Sequence, residues 1–230
     1  MKSTVSWALT PRRIRNVFAG LMFLACLGPG VCEAQFGVPW RQVPSIVVVG
    51  AADDPRNALV DEAISYWNQV LEGLGSGFRL PAARHVVQAV PEEALQSLSQ
   101  LIPTQPRGAD VPAALRDLPG GLTIVLGNSD FVSFAGPFFD AGSRRIVGIR
   151  SSSLAPLTLP NVARNVITHE LGHAIGLGHN SDPTLLMCGR PASCRPSLFQ
   201  SSEPRVFPLN DDEKRRLLAL YPPGWSPASK

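Results

Sequence analysis

His169-Glu170-Leu171-Gly172-His173-Ala174-Ile175-Gly176-Leu177-Gly178-His179 decides the reading of this chain. His169 and His173 are four residues apart, so a helix sends both imidazoles out of one face, one turn apart. Two neutral ring nitrogens placed that way can meet one zinc ion at about 2.0–2.1 Å. Glu170 is one step round the helix, near such an ion without ligating it, where it can deprotonate a zinc-bound water. Gly176 is free to take positive φ, so the helix can stop and the chain can turn sharply. The turn returns His179 as a third ligand. Three protein ligands leave a fourth position open, which separates a catalytic zinc from a closed structural one. A bare His-Glu-x-x-His also arises where two histidines merely line a polar face. The longer pattern, however, gathers three of the four histidines of the chain together with a Glu and a Gly.

Beyond the third histidine, Asn180-Ser181-Asp182-Pro183-Thr184-Leu185-Leu186-Met187 carries a turn signal at Asp182-Pro183 and ends on a methionine. Taken together, these motifs resemble the metzincin metalloendopeptidases, and within them the matrixins, the clan of matrix-metalloproteinase-like catalytic domains. The resemblance implies that Met187 forms a Met-turn, a hydrophobic floor with no bond to the metal. By residue type alone Met187 could equally be core filler. The implied fold is α+β, a zincin: a mixed, twisted five-stranded sheet, two long helices and a C-terminal helix, with the active-site cleft between an upper and a lower subdomain.

Outward from the motif, Asn161 is expected to cap the helix that carries it, with Val162, Val166, Ile167, Leu171, Ala174 and Ile175 as the buried side. Toward the N-terminus, Ser45–Gly50 is a wholly apolar, β-branched run that reads as a strand buried on both faces. Asp53-Asp54-Pro55 then starts a helix with Leu59, Ala63, Tyr66, Trp67 and Val70 at helical spacing. Trp67 reads as core packing. A second strand is expected within Phe78–Leu80 and His85–Val90, a short helix at Pro91–Leu101, and a surface excursion of unassigned role at Ile102–Gly121. His85, the one histidine outside the motif, reads as a surface or strand residue. Gly121–Gly127 is a strand. Val132, Ser133, Phe134, Ala135 and Gly136 form another, placed at the sheet edge by Pro137, and Arg144–Arg150 closes the sheet. After the motif, Asn210–Tyr221 is a capped helix, acidic at its start, that resembles the closing helix of matrixins.

The first 34 residues read as a secretory signal: a basic region ending at Arg15, an apolar core from Val17 to Leu27, and small residues at Cys32 and Ala34 before Gln35. The core is short for a membrane span. Phe23–Cys26 is a poor lipoprotein box and Arg12-Arg13 a weak twin-arginine signal, so simple export to the periplasm or the medium is the reading. The layout expected is therefore a signal at 1–34, a lead-in at 35–44, a catalytic domain at 45–222 and a flexible tail at 223–230. Lys2, Arg12, Arg13 and Arg15 against Glu33 carry the whole net charge of +3, and the remaining 17 basic and 17 acidic side chains cancel. That balance argues against a nucleic-acid partner. Cys188 and Cys194 survive signal removal, and export favours a disulfide between them over free thiols or thiolate metal ligands.

Some matrixin features are missing. No histidine stands in 131–137 or 144–150, so the structural zinc of animal matrixins is not expected. Calcium is possible but thinly supported, with Asp130 and Asp140 the only carboxylates near those strands. The expectation is an exported, monomeric endopeptidase, its layout suggesting a bacterium. One zinc is held by His169, His173 and His179, Glu170 is the base, and an extended polypeptide lies along Val132–Gly136. The alternatives are an exported zinc-binding module without turnover, a protease for one narrow substrate, and a hydrolase of small amides.

Overall fold

Residues 38–104, 110–136, 144–189, 201 and 203–228 are described by the structure, a computed structural model. The expected signal segment, Asp140 and Cys194 lie outside the described residues. The architecture is α+β. In chain order the elements are β1 (Ile46–Gly50), α1 (Arg56–Gly73), β2 (Arg84–Val87), α2 (Glu92–Leu101), α3 (Ala113–Arg116), β3 (Leu122–Leu126), β4 (Phe134–Gly136), β5 (Arg145–Ile149), α4 (Pro160–Ala174) and α5 (Asp211–Leu220). The five strands form one mixed sheet in the order β2-β1-β3-β5-β4, parallel except for β4.

The apolar run 46–49 explains why the sheet is covered on both faces. Successive side chains of a strand point to opposite sides. Ile46 and Val48 accordingly join the core shared with α1, α4 and α5, while Val47 and Val49 join a second core with α2 and α3. Val48 sits opposite His85 on one side and Ile124 on the other, which places β1 inside the sheet. Val60, Ala63, Ile64, Trp67 and Leu71 recur along α1 and are all buried against the sheet and α4. Val60, Ile64 and Leu71 each contribute about 1.5–3 kcal/mol by leaving water.

The structure corrects several local expectations. β5 does not close the sheet. All five of its residues are buried, and it lies between β3 and β4, so the three-residue β4 takes the edge. A strand covered on both faces and flanked on both sides cannot also be an edge, whereas short β4 can. Val132 and Ser133 precede that strand rather than joining it. In 102–121, expected to be a surface excursion, α3 forms, and Leu115 and Leu118 are buried in the second core. Apolar side chains, not the Pro and Gly content, decide its place. Described residues next to and within the tail at 223–230, expected to be flexible, make contacts with the domain. The Gly77 N–H donates to the Pro222 carbonyl at 3.1 Å, Trp225 stands edge-on to Phe78 at 4.8 Å, and the Ala228 N–H donates to the Arg41 carbonyl at 2.7 Å. No helix among the described residues is long and apolar enough to cross a membrane.

Candidate metal centre

α4 carries the first two histidines and begins without a side-chain cap. Leu159 occupies the capping position and Pro160 the first turn, where a missing N–H costs nothing. Asn161, expected as the cap, works elsewhere. Its amide donates to the carbonyls of Ser201 and Glu203, both at 2.8 Å, and its oxygen accepts the Arg205 N–H at 3.1 Å. Asn165, one turn on, donates to the Arg205 carbonyl and accepts the Phe207 N–H, each at 2.8 Å. Two asparagines four apart thus hold an extended segment along one side of the helix.

The helix ends as its glycine demands. Gly176 has φ +106°, the Gly176 N–H donates to the His173 carbonyl at 2.9 Å, and the Leu177 N–H donates to the Gly172 carbonyl at 3.0 Å. This pair of bonds is the Schellman closure. It turns the chain so that His179 comes back toward the helix. The last carbonyls of α4 are capped from far away in sequence. Ala174 accepts from the Trp40 indole N–H at 2.9 Å and from the Arg145 guanidinium, and Ile175 accepts from the Tyr221 hydroxyl at 2.9 Å. A buried guanidinium at a helix C-terminus also opposes the negative end of the helix dipole.

The three expected ligands converge. The Nε2 atoms lie 3.0 Å apart for His169–His173, 2.9 Å for His173–His179 and 3.3 Å for His169–His179. Nδ1 of His169 is 2.8 Å from the Leu186 carbonyl, and Nδ1 of His173 is 2.8 Å from the Leu177 carbonyl. A carbonyl can only accept, so each Nδ1 carries a hydrogen, and in the neutral ring Nε2 then keeps its lone pair. His173 is held neutral. Burial, and then its neighbours His169 and His179, press its pKa well below the ordinary imidazole value. Three neutral rings with Nε2 lone pairs meeting at about 3 Å would suit a cation between them. Four-coordinate bonds of about 2.0–2.1 Å at tetrahedral angles require nitrogens about 3.3 Å apart, close to what is seen. The residues present therefore fit a metal ion. Among the described residues this is the one cluster of three or more His, Cys, Asp or Glu side chains able to share an ion.

Glu170 is buried, and burial pushes its carboxyl up to about 8. A cation at the histidines would draw that value down by favouring the carboxylate. Below the helix, Met187 is fully buried. A Cβ on Gly172 would come within 2.6 Å of the Met187 sulfur and 2.8 Å of Cζ2 of Trp67. Trp67 is indeed packing, and its indole N–H also donates to the Thr168 carbonyl of α4 at 2.9 Å. The edge strand β4 packs against α4, which brings Phe134, Ala135 and Gly136 to the helix that carries the histidines.

Other expected residues stand apart. His85 is on exposed β2, within 3.2 Å of Asp61 and 3.1 Å of Asn57. Asp130 pairs with Arg150 at 3.1 Å. Cys188 is buried beside the turn, but its expected partner is outside the described residues. Sequence reading missed Arg145, Trp40 and Tyr221 at the end of α4, and Asn180 with Glu213 beside the third ligand. An arginine inside an apolar strand was the signal for the first group. The second had none in any local window. No protein-family model matches the chain.

Proposed function

We propose that the protein is an exported, zinc-dependent metalloendopeptidase with a matrixin-like catalytic domain. The observation that carries this reading is the convergence of three imidazole nitrogens, two of them from α4 and one from the turn that Gly176 creates, with Glu170 between the first two in sequence. Zinc held by His169, His173 and His179 would polarise a peptide carbonyl and acidify a water. Glu170 takes the proton of the attacking water and passes it to the leaving nitrogen, so one buried carboxyl serves first as base and then as acid. Nδ1–H bonds to the Leu186 and Leu177 carbonyls keep His169 and His173 in the tautomer that leaves Nε2 free. Met187 and Trp67 hold α4 from below. An extended polypeptide pairs with the free edge of β4, gripped by its backbone, in a cleft between the sheet edge and α4. The enzyme acts as a monomer, in the periplasm or the medium.

Cleavage of an unfolded generic protein by the mature, zinc-loaded chain, measured beside Glu170→Ala, tests this. Both should hold one zinc, and the variant should lose at least about 10²-fold in rate. Equal zinc in both with cleavage by neither removes broad proteolysis and leaves a zinc-binding module or a single narrow substrate.

A further inference from the structure

His179 is the one ligand that α4 does not carry. It lies five residues past the helix end and is exposed, so its position depends on whatever holds the turn that follows. Asn180 is the hub of that turn. Its N–H donates to the Met187 carbonyl at 2.8 Å, and its carbonyl accepts the Gly189 N–H at 3.0 Å. The second bond sets Gly189 against the ligand ring, so close that a Cβ there would stand 2.9 Å from Cγ of His179. The Asn180 side chain works in two directions, its oxygen accepting the Asp182 N–H at 2.8 Å while its amide donates to the Glu213 carboxylate.

Glu213 is fixed independently of the turn. It is the third residue of α5 and half of a capping box. Its N–H donates to the Asn210 side chain at 2.7 Å, and its carboxylate accepts the Asn210 N–H at 2.9 Å. It is buried, only 7% exposed. A carboxylate accepting from an amide makes a charge-assisted bond, stronger than one between neutral groups. From the geometry we infer that Glu213 is a positioning residue for the third metal ligand: it anchors Asn180 to α5, and Asn180 in turn holds His179 and Gly189 in place. This inference rests on the metal reading of the three histidines. Outer partners of metal ligands typically matter by about 10–100-fold in affinity.

The test uses the whole mature chain stripped of metal and titrated with cobalt(II), whose visible absorption reports ligand geometry. Glu213→Ala and Asn180→Ala should each weaken cobalt binding by about 10–100-fold and alter the absorption band. The double variant should bind no more weakly than the worse single one, because both break the same link. Asn210→Ala is the control. It removes the other half of the capping box and loosens the same helix end while leaving the Glu213–Asn180 bond, so affinity should stay within about twofold. If Asn210→Ala weakens binding as much as Glu213→Ala, the role is general support of α5 and the inference is wrong. Unchanged affinity in Glu213→Ala also overturns it, while leaving the metal centre standing. A parent protein that takes up no cobalt overturns the metal reading itself, and this inference with it.

Discussion

Gly172 shows how much of the centre depends on a single hydrogen atom. It occupies a position that the zinc pattern leaves open, yet the Met187 sulfur and the Trp67 ring fill the space a Cβ would need. Trp67 cannot retreat without losing its bond to the Thr168 carbonyl. Gly172→Ala is therefore expected to lose about 1–3 kcal/mol in urea unfolding, the usual cost of overpacking a filled site. Gly176 has a different reason to be glycine. At φ +106° any side chain is strained, and Gly176→Ala should lose about 1–3 kcal/mol, with weaker metal uptake because the turn that returns His179 is disturbed. Isothermal titration of the stripped variant checks the second effect.

At the scale of elements, side chains tie down both ends of α4, in addition to the Schellman closure at its C-terminus. Asn161 and Asn165 grip the segment that leads to α5, and Asn165→Ala leaves the buried Phe207 N–H without that acceptor. The expected loss is about 2 kcal/mol, read from the denaturation midpoint. At the other end the Tyr221 hydroxyl donates to Ile175 and accepts the Trp40 N–H at 3.1 Å. Burial raises its pKa to about 12, against a weaker downward pull from the Trp40 N–H and Arg145. The folded value is above the unfolded value of about 10, so the stability it contributes is complete below pH 10 and is lost as pH rises from 10 to 12. Tyr221→Phe should be less stable than the parent at pH 8. The gap should shrink by about 1 kcal/mol by pH 11, because the variant has no hydroxyl to ionise there.

Over the whole molecule, the turn that carries His179 draws on several parts of the sheet and helices. Trp40 precedes β1, Arg145 comes from β5, Glu213 from α5, and all three converge on the end of α4 or the residues just after it. Anything that binds only the folded chain stabilises all of it by mass action. Zinc at a thousand times its dissociation constant should therefore raise unfolding free energy by about 4 kcal/mol, and chelation should lower Tm in one cooperative step. A Tm that ignores chelator would mean that the three nitrogens hold no ion in solution.

The sequence by itself determined the local chemistry. Residues at i, i+4 and a glycine stop are enough to place His169, His173 and the turn before His179, because bonds within a few residues govern that geometry. The β-branched run at 46–49 likewise declared a strand covered on both faces. Tertiary structure alone decided that β5 lies inside the sheet, that Asn161 grips a distant segment instead of capping its helix, and that Glu213 reaches Asn180. Those partners are separated by many residues, 42 for Asn161 and Glu203 and 33 for Asn180 and Glu213. Such pairings are selected by which surfaces fill space and which buried polar groups find partners, a choice that packing makes and no short stretch of chain encodes.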